Sequence, residues 1–292
     1  MTARYTITGA LGWRGQRLRA TRIAPREPAR EVTLSRAPQP EAVRWFAVDL
    51  RGSIGIRHPN LVELIDIAFT PDDEACFIVT EHVDGCDLAT LVDGGRRLAV
   101  AHALHVAIAC CAGLAHAHGL GHVHGEVWPG AILLSVDGQV KLADLAIAKL
   151  LRVNHRTASH PRDRRFGYIA PDLLPGTGFD HRADLFSLGV VLWELLAGRA
   201  LFAGDTDLAT LERVNATEIP AIDGLDPGLD AIVRRALARD PDHRCATAAE
   251  LGAALAGCGI APTPPDLPRQ RAAAPVDLAR AQWEVDQMVS IR

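Results

Sequence analysis

The sequence predicts an α+β chain of two unequal lobes, a small β-rich one followed by a larger, mainly helical one. Three observations carry that expectation. Apolar residues alternate over short segments up to about residue 81. From about residue 86 they recur at helical spacing instead. The stretch Asp184–Leu196 is apolar nearly all round, as the central helix of a packed core must be. With 292 residues, 48% of them hydrophobic and 23% charged, the chain has enough apolar material for such cores.

In the first lobe, Tyr5-Thr6-Ile7-Thr8 alternates into a turn region containing Gly9, Gly12 and Gly15. Arg30–Leu34 resumes a strand after a Pro/Arg connector. A helix is expected after Pro40, with Val43, Phe46, Leu50 and Ile54 on one face. It should be short, because Gly52 and Gly55 inside the pattern each cost about 1 kcal/mol against alanine. Strands over Val62–Phe69 and Ala75–Glu81 flank the turn residues Thr70-Pro71-Asp72-Asp73.

In the second lobe, Leu104, Ile108, Cys111 and Ala115 form one helical stripe. Ala131–Val136 and Gln139–Leu142 pair around Asp137-Gly138. After the central helix, Leu229, Ile232, Val233, Ala236 and Leu237 mark an amphipathic face, and Thr247-Ala248-Ala249-Glu250 opens a last helix with a capping box. Ala261-Pro262-Thr263-Pro264-Pro265 reads as a stiff linker. Leu278, Ala281, Val285 and Met288 suggest a short helix within Pro275–Arg292. The expected divisions are therefore 1–83, 84–258, and a Pro-rich linker with a helical tail over 259–292.

A net charge of −4 gives no electrostatic case for nucleic acid as a partner. Six cysteines without framework or Cys-x-x-Cys spacing read as buried thiols in a reducing compartment. A basic-then-apolar leader is not expected, and no apolar run is expected to reach the roughly 18 residues of a membrane span. The richest run, Val190–Leu196, is short and carries Glu194. A cytoplasmic location and no membrane span are expected. Of the 31 Lys plus Arg, only Lys141 and Lys149 are lysines. Any chemistry needing a lysine before residue 141 is ruled out.

Several motifs in the middle of the chain resemble those of the protein kinase family, specifically its bacterial Ser/Thr members. His122-Val123-His124-Gly125-Glu126-Val127-Trp128-Pro129-Gly130-Ala131-Ile132 resembles the catalytic loop, and Lys141-Leu142-Ala143-Asp144-Leu145-Ala146 the metal-binding segment. Gly167–Asp172 resembles the Ala-Pro-Glu motif, and Asp184–Val190 the buried helix after it. Arg57–Val62 resembles the turn after helix C, and Asp240–Arg244 the segment whose arginine pairs with the Ala-Pro-Glu acid. The resemblance covers about residues 5–257 and implies the two-lobed protein kinase-like fold.

It also implies which positions would perform phosphoryl transfer, a reaction that depends on charged groups in fixed places. The phosphate-binding lysine matches Ser35, and Arg17 or Arg19 is the only cationic substitute nearby. The helix-C glutamate matches Asp49. The glycine loop is short, with Trp13 and Arg14 where backbone must approach phosphate. The catalytic aspartate matches Glu126, the arginine before it Gly125, and the γ-phosphate lysine Trp128. The metal-binding asparagine matches Ala131, which has no oxygen to offer magnesium. Asp144 alone matches a metal ligand unaltered. By contrast His124, Asp172, Asp184 and Arg244 match residues that hold the family's second lobe together.

This pattern implies a catalytically inactive pseudokinase, acting as scaffold or allosteric regulator in a bacterial signalling pathway. Its partner would be a signalling protein such as an active kinase or phosphoprotein. Arg152, Arg156, Arg162, Arg164 and Arg165 in the activation segment form a docking surface for an acidic or phosphorylated partner, or else a solvated basic loop. Two alternatives stand beside it. One is a weak or atypical transferase using Glu126 and Asp144. The other is a nucleotide sensor taking ATP without magnesium at Gly12, Thr33, Glu81, Val83 and Leu133. A metal cluster at His116, His118, His122 and His124 is disfavoured, since no Cys or Asp partner lies at ligand spacing.

Overall fold

The computed structural model describes residues 3–11, 17–25, 27–37, 43, 51–70, 75–92, 95–145, 164–173, 180–267 and 278–290. The chain divides into two compact units. The first comprises Met1–Arg57, Val62–Asp84 and Pro268–Arg292; the second comprises His58–Leu61 and Gly85–Leu267. The stretch set apart above as linker and tail, 259–292, is thus divided. Residues up to Leu267 belong with the helical unit, and those from Pro268 onward with the β-rich one.

The first unit is a six-stranded antiparallel sheet of β1 (Arg4–Leu11), β2 (Arg17–Ile23), β3 (Arg30–Arg36), β4 (Leu64–Phe69), β5 (Cys76–Glu81) and a two-residue strand from the tail, Val289–Ser290. Their order is β1-β2-β3-β5-β4 and then the tail strand. The period-2 alternation sorts the side chains onto two faces. Leu18, Ala20, Val32, Leu34, Phe77 and Val79 are buried on one face together with Tyr5, Ile65 and, from the tail, Val285. Each of the larger side chains contributes roughly 1.5–3 kcal/mol when fully buried. Arg17, Arg19, Thr33 and Ser35 fall on the other face and are half-buried.

Helix C, expected over Val43 to Ile54, is described only at its ends. Val43 and Arg51 are helical, whereas Ile54 has left the helix and pairs with Leu64 in a parallel bridge. Gly55, at φ +80°, supplies the left-handed turn that ends the pattern early.

In the second unit β6 (Gly85–Asp87), β7 (Ile132–Ser135) and β8 (Val140–Leu142) form a three-stranded sheet beside a helical core. The helices are α1 (Leu88–Leu91), α2 (Val100–Gly119), α3 (Arg182–Ala197), α4 (Asp207–Ala216), α5 (Pro227–Ala236) and α6 (Ala248–Ala256). Thirteen of the 16 residues of α3 are buried, which explains its lack of a polar face. It stops at Gly198, which takes φ +72° while its N–H caps Glu194 O. Thr247 caps α6 as expected, its Oγ1 accepting from Glu250 N, and the Glu250 carboxylate reaches back to accept from Ala246 N, one residue before the cap.

One expectation is corrected. The richest apolar stretch is not Val190–Leu196 but α2, which by length and composition alone could cross a membrane. Half of its most apolar window is buried inside this unit against the other helices. Its approach to α6 is close enough that a Cβ on Gly252 would lie 3.0 Å from Cys111 Cβ. The His58–Leu61 turn is fixed to the same unit, since Asn60 Nδ2 donates to Val140 O and Leu142 N donates to Asn60 O.

Candidate functional site

Each unit carries its own share of the positions singled out by sequence. In the first, β2 and β3 pair so that Arg17 lies directly opposite Ser35, and Arg19 opposite Thr33. The register places both arginines on the face of the lysine position, which Ser35 fills with a short hydroxyl. Arg19 is engaged by Glu31 through a two-pronged pair at 2.8 Å, and that cation holds the Glu31 carboxyl below its usual range. Thr33 Oγ1 lies 3.2 Å from His82 Nδ1, so the imidazole that follows β5 folds onto β3. Burial, followed by the charge of Arg19, depresses the His82 pKa and keeps that ring neutral. Glu81 N donates to Glu63 O, and its carboxylate accepts from Glu63 N. Val83 is half-buried beyond it. Gly12, Trp13 and Asp49 lie outside the described residues.

In the second unit the loop around Glu126 is set by one buried carboxylate. Asp184, fully buried in the first turn of α3, accepts from His124 N (2.8 Å), Gly125 N (2.6 Å) and His118 Nε2 (2.8 Å). His124, also fully buried, donates from Nε2 to Ala143 O at 2.8 Å. A carbonyl only accepts, so Nε2 carries the proton and Nδ1 is left to accept from Glu126 N at 3.3 Å. Burial drives the His124 pKa down, which suits this neutral tautomer. The loop therefore keeps its shape through groups that transfer nothing themselves. Glu126 is buried within it.

Gly125, at the arginine position, takes φ +75°, a backbone that disfavours any larger residue. Asp144 sits at φ +67°, a conformation aspartate tolerates better than most side chains. It is half-buried, two residues after Leu142 of β8. Ala131 is fully buried, and its carbonyl accepts from Ala143 N at 2.8 Å, which ties it to the Asp144 segment. Leu133 is half-buried in β7 opposite Lys141.

Trp128 shows what sequence reasoning missed. Its side chain does not project from the loop. It is buried and lies flat over Gly130, where a Cβ would sit only 2.2 Å from Cη2 of the indole. The Arg165 guanidinium stacks over the same ring, 5.3 Å from its centroid. The signal was a glycine two residues after a tryptophan, and only a packed structure gives it that meaning. Arg165 is thus engaged locally. Arg152, Arg156 and Arg162 lie outside the described residues, as does the side chain of Arg164.

Arg244 is buried and donates to Asp172 Oδ1 and to the carbonyls of Ala238, Arg182 and Arg239, with Phe186 beneath its guanidinium. Of the four clustered histidines, His116 stacks on His58, while His118 and His124 are committed as above. Among the described residues no group of three His, Cys, Asp or Glu is placed to hold a metal ion.

The kinase family would bring ATP and magnesium to such a site. The donor set does not fit the family's two-metal arrangement: Asp144 offers a carboxylate, but Ala131 offers no side-chain oxygen.

With a β-sheet unit, a helical unit and this loop scaffold in place, the class of protein is defined. The Protein kinase domain family matches residues 51–253, and the chain belongs to it. It is similar to the serine/threonine-protein kinase PknB of Mycolicibacterium smegmatis, 31% identical over 227 residues, which are 75% of this chain and 36% of that protein. It is also similar to the probable serine/threonine-protein kinase SCO3848 of Streptomyces coelicolor, 29% identical over 82% of this chain and 37% of that protein. The chain thus spans little more than a third of these relatives. Among solved structures, the PknI kinase domain of Mycobacterium tuberculosis superposes with a TM-score of 0.66, covering 86% of this chain and 94% of that one at 24% identity.

Proposed function

We propose that this chain is a catalytically inactive pseudokinase that works by binding, as a scaffold or allosteric regulator in a bacterial signalling pathway. The observation that carries this is the absence of lysine before residue 141, which leaves Ser35 where the phosphate-holding cation is required. Loss of the asparagine at Ala131 and the buried Trp128 at the γ-phosphate lysine position support the same reading. Losing one transition-state charge contact costs on the order of 10²–10³ in rate. Several such losses together leave little turnover, even without strict additivity. The partner is a signalling protein, such as an active kinase or a phosphoprotein that the basic activation segment would suit, and the setting is cytoplasmic.

One observation favours a second reading. Arg17 faces Ser35 across the hairpin, which puts a cation on the lysine face of the sheet. That cation supports ATP binding without magnesium; weak transfer using Glu126 and Asp144 is the other alternative. Thermal shift with ATP, with and without Mg²⁺ or Mn²⁺, followed by labelled-ATP turnover, separates the readings. No turnover is expected. Turnover abolished by Asp144→Asn or Glu126→Gln would overturn the pseudokinase reading, and a metal-insensitive shift without turnover identifies a nucleotide sensor.

A further inference from the structure

The turn His58–Leu61 is seated in the second unit, although the residues on either side of it belong to the first. Leu61 N donates to His58 O at 3.0 Å, and Leu61 pairs with Leu142 of β8 in a parallel bridge. Helix α2 passes so close that a Cβ on Gly113 would lie 2.6 Å from Asn60 O. The turn hangs on Asn60: its Nδ2 donates to Val140 O, and its carbonyl accepts from Leu142 N, two residues before Asp144.

One imidazole in turn sets Asn60. His58 Nδ1 accepts from Asn60 N at 3.1 Å. A backbone N–H only donates, so Nδ1 holds a lone pair and the neutral ring carries its proton on Nε2. A second proton goes to Nδ1, the atom at which the Asn60 N–H already points. The protonated ring and this bond therefore exclude one another. The surroundings raise the cost of that proton. His116 of α2 stacks on the ring with centroids 4.9 Å apart, and Lys141 of β8 adds a like charge. Burial first, then His116 and Lys141, lowers the His58 pKa. Among the described residues these two are the charged groups acting on His58. Its chain neighbour Arg57 directs its guanidinium to Glu63 instead, at 3.0 Å.

We propose that His58 is an acid-sensitive latch: protonation at Nδ1 breaks the Asn60 bond, and the turn comes away from α2 and β8. The ring is half-buried, so protons reach it from solvent. Leu142 N then loses Asn60 O, which carries the event into the strand that leads to Asp144. With His116 charged as well, the stacked rings repel and push the turn further from α2. The folded ring titrates below its ordinary value of 6.5. The bond is therefore at full strength above that pH and is lost as the pH falls through the folded value. The latch does not depend on whether the chain transfers phosphate.

The test uses the full chain and its variants His58→Asn and His116→Phe, with amide exchange and imidazole resonances followed between about pH 7.5 and 5. Asparagine is chosen because its side-chain carbonyl accepts from the backbone N–H two residues on and does not titrate. In the parent chain, protection at Asn60, Leu61 and Leu142 is expected to fall about tenfold more than at Leu188 in buried α3, in step with the His58 resonance. In His58→Asn that differential fall disappears. His116→Phe keeps a stacked ring without its charge, so the His58 midpoint and the opening move together to higher pH. This variant leaves the Asn60 bond in place, so a folding defect in His58→Asn does not decide the matter. Parent protection that tracks Leu188 throughout, or the same differential fall in His58→Asn, would overturn the proposal. So would a His58 ring that titrates while protection at Asn60 stays unchanged.

Discussion

Gly130→Ala tests whether Trp128 is built into the loop or merely lodged there. Gly130 needs no unusual backbone angle, so alanine is barred by the indole alone: the new Cβ would lie 2.2, 2.5 and 2.8 Å from three ring carbons. The backbone cannot retreat easily, because Ala131 N donates to Trp128 O at 2.9 Å and Ala131 O is held by Ala143 N. The ring must therefore turn outward. A tryptophan buries about 150–250 Å², roughly 4–6 kcal/mol at 25 cal/mol/Å². Exposing about half of it costs about 2–3 kcal/mol, at the upper end of ordinary overpacking. Trp128→Ala should cost about 3–5 kcal/mol. Once the indole is gone, adding Gly130→Ala should cost almost nothing, so the double variant matches Trp128→Ala. Urea unfolding of all four proteins measures this as a coupling of about 2–3 kcal/mol. Strictly additive losses, with the double variant about 5–8 kcal/mol below the parent, would refute the contact and with it the buried orientation of Trp128.

Other consequences are quicker to check. Arg244→Ala removes the donor shared by Asp172 and three backbone carbonyls in a buried setting, so it should cost about 3–5 kcal/mol, seen as a melting temperature lower by on the order of 10 °C; a change within 2 °C would contradict the burial. Stability should fall as pH drops below the ordinary histidine value of 6.5, because unfolded imidazoles take up protons while folded His124, His82 and His58, depressed chiefly by burial, resist them. Urea midpoints between about pH 8 and 5 read this directly, and a flat profile would show that these rings protonate in place. Asp184→Ala removes the acceptor of two backbone N–H groups and His118, so faster exchange at the amides of His124 and Gly125 is expected ahead of any global loss; unchanged protection there would refute the hub.

Much of the fold was legible because its signals are local. The Thr247 cap, the Asp137-Gly138 turn and the all-apolar α3 each follow from residues within a few positions of one another. What escaped depends on partners distant in sequence. Ile54 keeps the helical period but is claimed by Leu64. The sequence names Arg17 as a substitute cation without marking the strand Arg17–Ile23, and the register that sets it opposite Ser35 depends on the intervening turn. The tail stripe at Ala281, Val285 and Met288 marked a helix without saying which unit would bury it. At the catalytic loop, sequence named every substituted position, yet the sideways packing of Trp128 onto Gly130 is a steric fact between neighbours that periodicity does not encode.

The three bonds gathered by Asp184 have a consequence for engineering. Two of them, from His124 N and Gly125 N, fix the loop's path through backbone N–H groups, which every amino acid but proline supplies, so the loop tolerates exchange of its outward side chains. Ser35, half-buried on β3 of the other unit, can be exchanged without touching that frame, whereas Trp128 and Ala131 are buried within it and their exchange carries a folding cost of its own.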